Sequence, residues 1–230
     1  MGDLADRVAK VHERISAACR RVGRRPEDVK LIAISKTVPP ERIRQAYEAG
    51  LRDFGENRVQ EAEAKRPALS DLAVTWHLVG HLQTNKAKPA RDLFHWIHSV
   101  DSQRLAEKLD KVGARPGDRL PVLLEVNLGE EAAKSGARQD EVPRLAEALS
   151  RLETLEVRGL MVMPPFFDDA ERTRPYFRRL RELAGDVAAK NLPGVSMQEL
   201  SMGMSHDFEV AIEEGATMVR VGTAIFGPRS

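Results

Sequence analysis

Lys36 follows Ile32 and Ile34 at intervals of two, so in an extended segment its amine shares their face. If that face points into a dry enclosure, desolvation lowers the lysine pKa and leaves a free amine able to attack an aldehyde. The competing reading is a strand-end lysine with its stem on apolar surface and its ammonium in water. Two other segments, Ser201-Met202-Gly203-Met204-Ser205 and Gly222-Thr223-Ala224, end apolar runs with glycine and hydroxyl residues. Backbone N–H groups and hydroxyls in that combination bind phosphate. The same residue types also serve as plain turns and caps.

Arg220 sits between Val219 and Val221, where a charge is costly unless acceptors surround it. A buried carboxylate, Glu125 or Glu199, would satisfy it. So would the ring nitrogen of a cofactor, since arginine is one known partner of the pyridine nitrogen of pyridoxal 5′-phosphate (PLP). A permanently charged guanidinium keeps that nitrogen unprotonated and makes the ring a weaker electron sink. Other candidates are set aside. His77 and His81 fall on a strand and the turn after it, and His95 and His98 differ in strand parity, so no metal ligand set emerges. Ser205-His206-Asp207 cannot fold back into a catalytic triad and reads as a helix cap. Lys86, Lys88 and Arg91 form a solvated basic face. Met161, Met163, Met202 and Met204 line a pocket or pack a barrel top.

These residues need a scaffold that brings strand ends together. Leu4, Val8, Val11, Ile15, Cys19 and Val22 recur every three or four positions, the stripe of an amphipathic helix ending near Gly23. Short apolar runs then alternate with helical stretches. The expected strands are 31–35, 52–55, 75–79, 96–100, 121–128, 157–163, 197–202 and 217–221. The expected helices are 40–49, 58–66, one opening near Thr84, 104–112 capped by Asp101 or Ser102, 140–152, 169–189 and 208–214. Eight such units without a composition break predict an α/β fold, a (β/α)8 TIM-type barrel with an extra N-terminal helix, as one domain over 1–230. An open doubly wound sheet is the alternative, but no G-x-G-x-x-G follows a strand. In a barrel, Lys36, Asn57, His81, Asn127, Ser201–Ser205 and Gly222-Thr223 would share the mouth.

Bulk composition narrows the class. The 230 residues carry 36 basic and 35 acidic side chains, a formal net charge of +1, which gives no electrostatic footprint for nucleic acid or an anionic membrane. Cys19 is the single cysteine, so no intrachain disulfide forms and a reducing, cytoplasmic setting is expected. No apolar run is long enough to span a bilayer.

Lys36, Phe54-Gly55-Glu56-Asn57, Trp76 to Lys86, Asn127 with Lys134-Ser135-Gly136, Gly159-Leu160-Met161, Leu200 to Asp207 and Arg220-Val221-Gly222-Thr223 together resemble the YggS/PROSC family of PLP-binding proteins. Leu78 and Ala90 depart from the family pattern by apolar replacements. The resemblance implies a fold similar to the barrel domain of alanine racemase. It implies PLP held as an internal aldimine on Lys36, with Arg220 facing the pyridine nitrogen. Ser201, Gly222 and Thr223 would hold the phosphate, with Asn57 and Met202 also in the cofactor site.

The expected function is a non-catalytic PLP carrier in vitamin B6 and amino-acid homeostasis, a monomer with PLP-dependent apo-enzymes as its expected partners. Racemases of this fold need an opposing tyrosine from a second domain, and Tyr47 and Tyr176 both fall in predicted helices. A racemase- or decarboxylase-type enzyme, with His81 or a loop residue as proton donor, is the first alternative. A cofactor-free Schiff-base aldolase on Lys36 is the second.

Overall fold

Leu31 and Ala33 join one apolar cluster while Ile32 joins another, with Ile34 packed against it, so the first strand separates two cores by simple alternation. The computed structural model describes residues 4–113, 119–129 and 135–228. Its strands are β1 Lys30–Ile34, β2 Asp53–Glu56, β3 Thr75–Leu78, β4 Trp96–Val100, β5 Leu120–Asn127, β6 Leu155–Val162, β7 Val195–Met204 and β8 Met218–Val221. All pair in parallel, in the order β4-β3-β2-β1-β8-β7-β6-β5, and a β4–β5 pairing closes the ring. A two-residue segment, Ala137–Arg138, adds to β5 outside the ring. The result is the (β/α)8 barrel that the alternation of elements implied.

The helices are α1 Leu4–Arg21, α2 Pro40–Glu48, α3 Val59–Lys65, α4 Ala87–Leu93, α5 Gln103–Val112, α6 Val142–Leu149, α7 Arg174–Ala188, α8 Phe208–Glu213 and α9 Thr223–Phe226. Helix α1 is the extra N-terminal helix. It buries Leu4, Val8, Val11, Ile15, Ala18 and Cys19 and stops at Gly23, whose φ of +68° suits a helix terminus. Val22, expected in that stripe, lies past the helix end and is 42% exposed. Arg14 at the same helix pairs with Glu209 through two hydrogen bonds of 2.6 and 2.9 Å, tying α1 to α8. Ser102, rather than Asp101, caps α5 by accepting from Leu105 N–H.

Inside the ring, Ile32, Leu123, Met161 and Met218 form the apolar plug. Gly55 leaves them room, because a Cβ there would stand 2.6 Å from Ile34 Cδ1 and 3.1 Å from Ile32 Cγ2. Ile34 and Trp96 pack against this plug, and His77, His98, Ser201 and Arg220 are buried polar residues of the same strands. No helix among the described residues is long and apolar enough to cross a membrane.

Candidate functional site

A cavity of about 510 Å³ opens at the ends of β1, β7 and β8, the face where barrel loops gather. Lys36, Arg220, Gly222 and Thr223 all line it. β1 ends at Ile34, and the Ser35 N–H still bonds Gly55 O at 2.9 Å. The chain then turns, so Lys36 reaches the mouth from a turn rather than from the strand itself. Thr37, next along, has φ +62°, a region β-branched residues avoid. Its N–H is held by Glu61 Oε2 at 2.9 Å.

A buried pair anchors that turn from below. Lys65 Nζ donates to Ser35 O at 2.7 Å and to Glu56 Oε1 at 2.8 Å. Ser35 Oγ donates to the same carboxylate oxygen at 2.7 Å. Burial pushes the Glu56 carboxyl above the usual range, against the pull of Lys65. Its Oε2 is buried with no partner.

Arg220 is 3% exposed and is held by backbone and hydroxyl rather than by a carboxylate. Its Nη1 donates to Ser201 O at 2.7 Å and Ser201 Oγ at 2.6 Å, and its Nη2 donates to Val162 O at 2.8 Å. These bonds use three of a guanidinium's five N–H donors and leave two to spare in a residue that lines the cavity. Glu125 instead accepts from Ser135 Oγ, and Glu199 from Thr217 Oγ1, so neither carboxylate expected as an Arg220 partner takes that role. Burial lowers the Arg220 pKa to about 10, with Asp207 and Glu125 opposing the shift. The side chain therefore stays charged at neutral pH.

The structure does not bring every expected residue into the cavity. Ser201 is fully buried beneath Arg220, and Met202 is buried in the outer core, against the helices. Asn57 follows β2 and is half-buried, away from the cavity lining. Ser205 stands at the mouth instead. Its Oγ accepts from Gly222 N–H at 3.2 Å and Ala224 N–H at 3.4 Å, so the two loops meet through one hydroxyl. Gly203 accompanies this, since its φ of +89° falls where the β7–β8 register shifts between Ser201 and Met204. Asp207 begins α8, but its Oδ1 turns back to accept from Met204 N–H at 2.7 Å, so the expected side-chain cap does not form.

The residues that sequence reasoning missed are Arg42, Phe166 and His206, all in the lining. Arg42 bonds Phe226 O at 3.1 Å, and His206 pairs with Asp168 O at 3.1 Å. For Arg42 the signal was available, six residues after Lys36 in the first turn of α2. His81 lines a separate cavity of about 750 Å³ near Asp101, not the one that Lys36 lines. Tyr47 stacks against Arg52 and Tyr176 against Phe167; neither lines the Lys36 cavity. Lys134 lies outside the described residues. Among the described residues no cluster could hold a metal.

An amine, a buried guanidinium with spare donors and a glycine–hydroxyl loop pair therefore share one cavity. Those are the parts that an aldehyde, a ring nitrogen and a phosphate on one flat molecule would need.

The family model "Alanine racemase, N-terminal domain" matches residues 6–230. The pyridoxal phosphate homeostasis protein of Aquifex aeolicus is 47% identical over 227 residues, covering 99% of each chain. That of Pseudomonas aeruginosa is 44% identical over 229 residues, covering 100% of this chain and 97% of the other. Among solved structures, PipY of Synechococcus elongatus PCC7942 with PLP bound is 42% identical with a TM-score of 0.85, covering 97% and 100% of the two chains. An alanine racemase of Clostridium difficile shares the fold at 15% identity and a TM-score of 0.71, over 57% of its own length.

Proposed function

The chain belongs to the pyridoxal phosphate homeostasis protein family, and on that premise we propose that it binds PLP covalently at Lys36 and holds it as a non-catalytic carrier. The observation that carries this reading is the convergence of Lys36, Arg220, Ser205, Gly222 and Thr223 on one cavity. PLP supplies an aldehyde that a lysine amine can bond. Lys36 presents that amine at the rim, over a turn that Lys65 and Glu61 hold from beneath. Arg220 would hold the ring nitrogen and, being charged at neutral pH, would leave that nitrogen without a proton. Gly222, Thr223 and Ser205 offer N–H and hydroxyl groups to the phosphate. Ile34 and Phe226 line the apolar side of the cavity and exclude water from the ring.

The carrier role draws support from the acid/base inventory. Beside Lys36, the imidazole in the lining is His206, engaged with a backbone carbonyl, and neither tyrosine is in reach. The mouth is open and apolar, with Phe166 74%, Met163 40% and Met204 37% exposed, a surface suited to exchange with PLP-dependent apo-enzymes. We place the protein in the cytoplasm as a monomer, one PLP-binding domain over 1–230, in vitamin B6 and amino-acid homeostasis.

The test is the visible absorbance of the purified chain with PLP, before and after borohydride, with peptide mass mapping. A yellow protein that bleaches and carries a pyridoxyl group on Lys36 supports the reading. A chain that stays colourless and unlabelled with excess PLP overturns it. Solvent deuterium entering the α-carbon of an amino acid over many turnovers would replace the carrier role with a racemase-type activity.

A further inference from the structure

Beneath Arg220 a file of polar side chains crosses the barrel interior. Arg220 Nη1 donates to Ser201 Oγ at 2.6 Å. Ser201 Oγ meets His98 Nδ1 at 2.9 Å, His98 Nε2 meets His77 Nδ1 at 3.0 Å, and His77 Nε2 meets Asp53 Oδ1 at 2.9 Å. Ser201, His98 and His77 are fully buried, while Asp53 keeps 21% of its side chain exposed at the opposite end, 3.8 Å from Lys30 Nζ. Trp96 stacks on His77 at 6.0 Å and 16°, and Lys30 Nζ lies over the Trp96 ring at 5.3 Å.

The two ends set the direction of every link. A guanidinium has no acceptor and a carboxylate has no donor. Asp53 therefore accepts from a protonated His77 Nε2, which in a neutral ring leaves Nδ1 bare to accept from His98 Nε2–H. His98 Nδ1 is then bare and accepts the Ser201 hydroxyl proton, and Ser201 Oγ is left to accept from Arg220. Burial lowers the pKa of both histidines, that of His98 well below its ordinary value, in keeping with neutral rings. Each link is satisfied in one orientation only, and chains of this kind strengthen by mutual polarisation. A donor that cannot readily release its proton closes one end, so the file carries dipole rather than protons.

We propose that Asp53, His77, His98 and Ser201 form a one-way hydrogen-bond chain that positions Arg220 for the cofactor ring from the closed end of the barrel. The four are positioning residues; Arg220 alone faces the ring. The inference rests on the PLP reading for its purpose, but its geometry is readable in the cofactor-free chain.

The experiment has two arms. In the ¹⁵N-histidine-labelled, cofactor-free full chain at neutral pH, His77 and His98 should each show a protonated Nε2 and a bare Nδ1 by long-range ¹H–¹⁵N correlation. A protonated Nδ1 on either ring overturns the chain, whatever becomes of PLP binding. In the second arm, His98→Leu keeps volume but breaks two links, whereas His98→Gln keeps one donor and one acceptor. His98→Leu should expose the Arg220 Nη protons to solvent exchange and weaken PLP binding about tenfold, as loss of support for one charge-assisted bond implies. His98→Gln should restore both readouts to within about twofold. Wild-type behaviour in His98→Leu, or equal damage in His98→Gln, overturns the positioning role. Should His98→Leu fail to fold, Ser201→Ala cuts the same file one link higher and is read by the same two signals. Failure of Lys36 labelling alongside the expected tautomers would refute the PLP reading and leave the chain standing.

Discussion

Lys65→Met is the substitution whose cost follows most directly from the geometry. The ammonium it removes sits 2.8 Å from Glu56 Oε1 and 2.7 Å from Ser35 O, and the Glu56 side chain is 0% exposed. Glu56 would keep the Ser35 hydroxyl on one oxygen, and its second oxygen already lacks a partner. Stranding one member of a buried pair costs about 3–5 kcal/mol. For a chain of this size that is a fall in Tm of roughly 6–20 °C. The deficit should also depend on pH. Burial already raises the folded Glu56 pKa above its unfolded value, so the folded carboxylate is penalised at neutral pH. The penalty is relieved as pH falls through the folded pKa, because the folded state then takes up a proton first. Lys65→Met should therefore be most destabilising near pH 7–8 and less so toward pH 5, by urea unfolding followed with circular dichroism. Glu56→Gln in the same chain, which removes the orphaned charge, should recover most of the loss. A deficit below about 1 kcal/mol at pH 7, or one that grows as pH falls, would refute the assignment of an obligatory buried pair.

Ser205→Ala leaves Gly222 N–H and Ala224 N–H without their shared acceptor, and should weaken PLP binding about tenfold with unchanged secondary structure, measured by absorbance titration. Gly203→Ala places a Cβ 2.5 Å from Ala211 Cβ and 2.8 Å from Phe208 Cα at φ +89°. It should cost about 2 kcal/mol or more in denaturant unfolding. The buried histidines should produce an acid limb: their folded pKa values lie below the unfolded value, so below about pH 6.5 the unfolded chain binds more protons and stability falls. Comparing His98→Gln with wild type across pH 7 to 5 should show a shallower fall in the variant, by up to about 1.4 kcal/mol per pH unit.

How much of this was legible in sequence depends on whether a residue's oddness is local. Arg220 between two valines and Lys36 in phase with Ile32 and Ile34 are conspicuous wherever the strands lie, and both reach the cavity. The strand pattern was legible for the same reason, since alternation of Leu31 and Ala33 against Ile32 and Ile34 is a property of one segment. The resemblance implies Ser201 at the phosphate, whereas in the fold Ser201 Oγ lies against Arg220 Nη1 and His98 Nδ1. Past Gly203, whose φ is +89°, it is the Ser205 hydroxyl that meets Gly222 N–H, a contact that no single segment of sequence reveals.

The histidine file was hidden for a different reason. In sequence the neighbour of His77 is His81, whereas its partner in the fold is His98, 21 positions away on the adjoining strand. The pairing of β3 with β4 sets His77 opposite Trp96, which brings His98 within reach of the His77 ring. Ser201 joins from across the barrel, 103 positions from His98, through ring closure alone. Residues that would touch the cofactor announce themselves by being costly where they stand. Those that hold them in place are ordinary buried polar residues until the shear of the barrel decides which of them meet, and a wrong register by one residue would turn every one of them out toward the helices.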